Sequence, residues 1–288
     1  MQREQSLRRR LQSQETLYEA IAAMKSLSAH YFRLARTGLA AARAYRTGID
    51  DVLAAIGLAP PVMEPAPPGL VLIASDLGLC DGYNARLVQK VVEQHVHLQF
   101  RMVYSVGRRP VSLLQRAGMT VTRLYQTPTS VSDLTRLLLS LAQEILSDHV
   151  AGKFANLYVI SARFEGIGVF TPVCTQIWPV PPARPPAPMR PSAYVSREQL
   201  VMVALREFFY IMLFQILLDS LAAEHSTRLV ATASAAEWLK TRIVKSRHQL
   251  ATIRREAMTQ ELLDVVSGAR HQRRPENTPD DRTGMLRA

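Results

Sequence analysis

From Leu7 onward, apolar or small residues return at steps of three and four: Leu11, Tyr18, Ile21, Ser28, Phe32, Ala35, Leu39, Ala42, Ile49, Leu53 and Ile56. The same rhythm runs from Leu200 through Ala204, Phe208, Ile211, Leu218, Ala222, Leu229, Ala236, Leu239, Ile243, Leu250, Ile253 and Ala257. That period predicts two long helices, each with one seam facing a partner, and their length predicts an antiparallel coiled coil between them. At 1.5 Å per residue the second helix would be roughly 100 Å long, too long to bury itself inside a domain of this size.

Between the two arms the pattern changes. Residues 70–75, 100–106, 120–125, 157–162 and 173–178 are short apolar runs of strand type, and 84–97, 107–117 and 131–149 have helical spacing. Strands alternating with helices predict an α/β layer with a largely parallel sheet. Six segments follow: a helix over 1–57, a linker over 58–69, an α/β domain over 70–178, a proline-rich linker over 179–195, a helix over 196–270 and a disordered tail over 271–288.

Composition narrows the function classes. Apolar residues make up 48% of the 288, which excludes wholesale disorder. The net charge of +11 suits an acidic protein partner, a membrane surface or nucleic acid, but no recognition module for nucleic acid is present. Two cysteines, Cys80 and Cys174, are too few for a disulfide framework and read as buried thiols. The apolar run from Phe208 to Leu218 is interrupted by Gln215 and ended by Asp219, so it predicts a buried helix segment and not a membrane span.

Candidate chemistry is sparse. The loop 75–84, SDLGLCDGYN, lies between a strand and a helix, where phosphate-binding loops occur, but has neither GxGxxG nor the Lys-Ser/Thr end of a P-loop. His95 and His97 are two apart, so they do not share a helix face and form no zinc pair. Cys80 stands beside Asp81, whose carboxylate would raise the thiol pKa. No catalytic constellation and no cofactor are expected. The seams are rich in small residues, Ala22, Ala23, Ala29, Ala35 and 40–42 against Ala222, Ala223, Ala231, Ala233, Ala235 and Ala236, which predicts close backbone approach. Polar interruptions at Lys25, Arg46, Gln215, His225, Ser246 and Gln260 predict a shaft wrapped by another protein.

Together these segments resemble the gamma subunit of F-type ATP synthases, in a divergent bacterial form. LRRRLQSQETLYEAIAAMKSLSAHYFRLA (7–35) is similar to that family's opening helix, including Ala23, Met24 and Lys25, and Ala42-Arg43-Ala44-Tyr45 to its following Ala-Arg-x-Tyr. The loop at 75–84 is similar to the family's SDRGLCGGxN at Ser75, Asp76, Gly78, Leu79, Cys80, Gly82 and Asn84. Further on, Glu224, Ser226, Arg228, Ala231, Arg254, Thr259, Glu261, Leu262, Ser267, Gly268 and Ala269 match without gaps. Departures are Leu77 at the loop arginine, Asp81 at a loop glycine, Thr232-Ala233-Ser234 at Met-Asp-Asn, Ala251 at an asparagine, and Arg254-Arg255 at Arg-Gln.

The resemblance implies a Rossmann-like α/β domain inserted between the arms of an antiparallel coiled coil. It implies a rotating central stalk that couples ion flow through the membrane c-ring to ATP synthesis or hydrolysis at the beta subunits, without catalysis of its own. Its implied partners are the alpha3-beta3 ring, the epsilon subunit and the c-ring, with no nucleic acid, and its implied place is peripheral, on the cytoplasmic face of the bacterial inner membrane. Contact with beta is implied for Met24, Lys25, Arg254, Arg255, Thr259 and Glu261, and a rotor-foot interface for Leu79, Cys80, Gly82 and Asn84. A coiled-coil adaptor with a Rossmann-like module, tethering some other assembly, is the alternative.

Overall fold

The structure, a computed structural model, describes residues 2–56, 67–128, 131–180 and 196–272. The expected linkers at 58–69 and 179–195 and the tail at 271–288 lie largely outside the described residues. The elements are α1 (Gln2–Ile56), β1 (Gly69–Ile73), α2 (Tyr83–Leu98), β2 (Met102–Val106), α3 (Val111–Arg116), β3 (Arg123–Tyr125), α4 (Val131–Val150), β4 (Leu157–Gly166), β5 (Val169–Trp178) and α5 (Arg197–Gln272). The chain divides into two compact units, Met1–Ala20 with Ala236–Ala288, and Ile21–Ala235.

In the first unit the start of α1 packs against the end of α5. Buried Ala236, Leu239, Ile243, Ser246 and Leu250 alternate steps of three and four, the spacing that keeps one stripe on a partner helix. Leu7, Leu11 and Tyr18 of α1 are half-buried and Gln14 is buried. The Ser246 hydroxyl donates to Gln14 Oε1 at 2.9 Å inside this contact. Arg247 pairs with Glu15 at 2.7 Å, and Arg254 with Glu4 at 3.0 Å, along its flank. Position rises on one helix as it falls on the other, so the pair is antiparallel.

The second unit is built on a five-stranded mixed sheet of order β3-β2-β1-β4-β5. β1 is parallel to β2 and β4, and β2 to β3, whereas β4 and β5 form an antiparallel hairpin. Three of the four pairings are parallel, in line with the largely parallel expectation, and that hairpin is the antiparallel exception: both strands run ten residues, and Gly168, at φ 76°, provides the left-handed backbone of the turn between them. The third strand, expected from residue 120, starts at Arg123.

β1 is buried on both faces, which explains its unbroken apolar run. Successive side chains point to opposite sides. Leu70, Leu72 and Ala74 join a core with Tyr83, Leu87 and Val91 of α2 and Leu114 of α3. Val71 and Ile73 join the opposite core with Leu138, Leu141 and Ile145 of α4, Leu39 and Leu53 of α1, and Phe208, Met212, Leu213 and Leu217 of α5. α5 contains a window long and apolar enough, by length and composition, to cross a membrane. Here its large side chains fill the core. α1 approaches α5 closely at Gly38, where an added Cβ would lie 3.2 Å from Leu218. The wider small-residue seam is narrower than expected, since Ala22, Ala23, Ala40 and Ala41 face solvent.

Candidate functional site

Two surfaces emerge. One is the β1–α2 loop, held from beneath by α5. Its inner side is a hydrogen-bonded knot: the Ser75 amide donates to Asn84 Oδ1 at 3.1 Å, Asn84 Nδ2 donates to Ser75 Oγ at 2.8 Å, and Cys80 Sγ lies 3.7 Å from Ser75 Oγ. Gly82 (φ 64°) supplies the left-handed residue at which α2 begins. Leu79 (φ 56°) and Asp81 (φ 31°) adopt the left-handed region without being glycine. For L-residues that region costs roughly 1–2 kcal/mol each, so something must hold the loop there.

Arg228 holds it. The side chain is fully buried, and it reaches from α5 to donate from Nε to the Gly78 carbonyl at 3.1 Å and from Nη2 to the Leu77 carbonyl at 3.2 Å. Nη2 also meets Glu224 Oε1 at 2.6 Å, and Nη1 donates to His225 Nδ1 at 3.2 Å. Burial raises the Glu224 pKa, opposed by Arg228. Burial and the Arg228 charge together push His225 down to about 3, so it is neutral, and it packs on Tyr31 with centroids 5.0 Å apart.

Asp76 closes the loop's other flank, accepting from the amides of Arg108 (2.8 Å) and Thr127 (2.7 Å), from Arg108 Nε (3.1 Å) and from Thr127 Oγ1 (2.9 Å). Burial alone would raise its pKa, but these donors outweigh burial and lower it. The carboxylate sits at the C-terminal ends of β1, β2 and β3, where doubly wound sheets bind nucleotide phosphates. The donors a phosphate would need are already taken by an anion. The loop above packs so closely that a Cβ on Gly107 (φ 101°) would come within 2.8 Å of the Ala74 and Ser75 backbone.

Leu79 is 44% exposed and Gly82 faces solvent, so both are available to a partner. Cys80 is buried and Asn84 is bound within the knot, so these two brace the loop. The Cys80 pKa is raised as expected, but burial is the main cause and the nearby carboxylate is that of Glu224 instead of Asp81. His95 accepts from the Phe100 amide at 3.1 Å, which closes the C-terminus of α2.

The other surface is the end of α5. Every residue from 254 to 269 is exposed, including Met258 (65%), Leu262 (64%), Leu263, Val265 (69%) and Val266. Arg254 is tied to Glu4, whereas Arg255 donates to the Ala251 carbonyl at 3.4 Å and Thr259 to the Arg255 carbonyl at 2.9 Å, so the two arginines are not equivalent. Glu261 is exposed on the same stretch. Met24 is half-buried and Lys25 exposed, in the other unit. Lys25 therefore does not interrupt the seam. The other polar seam positions have partners within the chain: Arg46 Nη1 donates to Gln215 at 3.4 Å, Ser246 to Gln14, and His225 accepts from Arg228. A wrapping protein is not required to explain them, and Gln260 is simply exposed.

Sequence reasoning missed the Glu224–Arg228 clamp as a site. The usable signal was an i, i+4 ion pair within SLAAEHSTRLVATAS, a stretch of mainly small residues that leaves no room for solvent between helix and neighbours.

A family model described as ATP synthase matches residues 3–271. The chain is 27% identical over 282 residues to the ATP synthase gamma chain of Pelotomaculum thermopropionicum, covering 91% of this chain and 96% of that one. It is 26% identical to the gamma chain of Geobacter metallireducens, covering 92% and 96%. Among solved structures, a chain of the Euglena gracilis mitochondrial ATP synthase OSCP/F1/c-ring assembly superposes with a TM-score of 0.65 at 12% identity, covering 98% of this chain and 99% of that one. A chain from the central stalk and c-ring of the Tetrahymena thermophila mitochondrial enzyme gives 0.59 at 16% identity, covering 75% and 99%.

Proposed function

Because the chain belongs to the ATP synthase family, as a gamma chain of the central stalk, we propose that it turns within an alpha3-beta3 ring and couples that ring to a membrane c-ring. In this reading the sheet unit is a Rossmann-like module, the paired arms form an antiparallel coiled coil, and the segments 1–57, 58–69, 70–178, 179–195, 196–270 and 271–288 are its functional divisions. The adaptor alternative loses its ground with the family membership.

The observation that carries the proposal is the run of exposed Met258, Leu262, Leu263, Val265 and Val266 at the end of α5. A helix end with this much apolar surface on several sides suits an enclosing protein sleeve. Met24, Lys25, Arg254, Arg255, Thr259 and Glu261 are the proposed contacts with beta. Arg255, which makes no ion pair among the described residues, is suited to a bidentate carboxylate partner. Leu79 and Gly82 are the proposed outward contacts of the rotor foot with the c-ring and epsilon, with Cys80 and Asn84 holding them in place. A single shaft presents a different side to each of three beta subunits. Only such differential contact shifts their conformational populations, and reversal of the same coupling turns hydrolysis into ion movement. Nucleotide chemistry then belongs to beta, and this chain binds no cofactor, contacts no nucleic acid and sits peripherally at the cytoplasmic face of the bacterial inner membrane.

Co-expression with the alpha and beta subunits of its own complex tests this. A 3:3:1 assembly whose ATPase turnover depends on the chain is the expected result. A chain that stays out of the ring, or enters it without effect on turnover, overturns the reading.

A further inference from the structure

The α5 helix meets the sheet layers mostly through Phe208, Met212, Leu213 and similar apolar side chains. Apolar contact is strong but non-directional, so by itself it resists separation better than it resists sliding or rotation about the helix axis. Directional contacts are placed two turns apart on α5. At Ser220 the carbonyl accepts from Tyr83 Oη at 3.2 Å and the hydroxyl accepts from the Ala162 amide at 3.3 Å. At Arg228 the guanidinium donates to the carbonyls of Leu77 and Gly78. The second contact is unusual in two respects. It requires a fully buried ion pair with Glu224, which gives little stability compared with a well-packed apolar pair of the same volume. It also grips a turn that carries two non-glycine residues in left-handed conformation. Neither is needed merely to fill a core.

We propose that Arg228 is a positioning residue for torque: it locks the 77–81 turn to α5, so that the sheet unit and the helix rotate as one body under load. The proposal rests on the central-stalk reading and adds to it the joint through which rotation passes between helix and sheet unit. Glu224 fixes the guanidinium plane, His225 receives its third edge, and the two loop carbonyls carry the load. Serine and arginine contacts eight residues apart on one helix resist both axial slip and rotation, which a single contact would not.

The test uses the complete synthase, reconstituted in vesicles with wild-type or altered chain, with ATPase turnover and ATP-driven ion pumping measured on the same preparation. Arg228→Lys keeps a cation beside Glu224 but cannot span both carbonyls. The expected result is a fall in ions pumped per ATP hydrolysed, with ATPase retained. A role in folding alone would lower both activities together and leave the ratio unchanged, and that result overturns the proposal. Should Arg228→Lys fail to fold, the paired change Glu224→Gln with Arg228→Met keeps the volume and removes both buried charge and carbonyl contacts. That variant is expected to assemble and to pump poorly, and a wild-type ratio from it overturns the proposal. Failure of the wild-type chain to assemble would instead remove the central-stalk reading, and this joint with it.

Discussion

Residues 208–228 and 254–269 of α5 are both rich in large apolar side chains, yet the first stretch is mostly enclosed and the second faces solvent throughout. In the first, Phe208, Met212 and Leu217 meet the sheet, and even the charged Glu224 and Arg228 have buried partners. In the second, Leu262 and Val265 are 64% and 69% exposed. The same helix thus carries one segment enclosed by its own fold and another that stands exposed. Apolar content alone does not separate the two cases. What separates them is whether other elements of the chain reach the same level of the helix.

Substitutions can sharpen or break this contrast. The largest effect is expected inside the enclosed segment: Arg228→Met alone leaves Glu224 buried without a cation and should cost about 3–5 kcal/mol in denaturant unfolding. Adding Glu224→Gln should recover most of that loss. Phe208→Ala should cost a similar amount, about 3–5 kcal/mol, by opening a cavity in the core, whereas Leu262→Ala should stay within about 0.5 kcal/mol in the isolated chain. An equal loss at both positions would mean that the end of α5 is packed in solution, and the contrast would collapse.

A smaller, pH-dependent effect belongs to His225. Its folded pKa is lowered to about 3 from an ordinary 6.5. Between these values the unfolded chain binds a proton that the native chain does not, so His225 contributes stability above about pH 6.5 that is lost as pH falls toward 3. Melting temperature against pH should flatten over that window in His225→Gln, and an unchanged slope would show that the ring is solvated. The smallest effect is expected at Arg254→Ala: its pair with Glu4 is exposed, so stability should move by about 0–1 kcal/mol. A larger change would place the pair inside the helix contact instead of on its flank.

Much of this was legible in the pattern of residues. The spacing on α1 marks its seam: Ser28, Ala35, Leu39, Ala42, Leu53 and Ile56 are buried, and Leu7, Leu11, Tyr18, Ile21, Phe32 and Ile49 are half-buried. The strand at Leu70 is legible from its apolar run, because a strand covered on both faces does not alternate. The β4–β5 hairpin was not legible in full: Arg163, Glu165 and Thr171 lie on its polar, partly exposed arm and interrupt the apolar signal that marks a strand. The Arg228 clamp escaped for the opposite reason. A charged residue on a long helix reads as solvated, and only the tertiary placement of a loop 150 residues away makes it a buried hub. The loop itself was found through its resemblance to SDRGLCGGxN, but the division of labour within it depends on which way each side chain points. Cys80 and Asn84 turn inward while Leu79 turns outward.

The buried bond between Gln14 and Ser246 also acts as an index mark. Sliding the two helices by one heptad, about 10 Å, would keep the apolar stripes in step but set each of these polar groups against the wrong neighbour. Leu and Ala positions tolerate many alignments, and this bond, together with the flanking Arg247–Glu15 and Arg254–Glu4 pairs, selects among them. It thereby sets the overhang, the number of turns by which the tip of α5 outruns the first residue of α1. A mutation at Gln14, remote from the tip, would act as a change in the gauge of the part, altering its reach without altering a single residue of the surface that reaches.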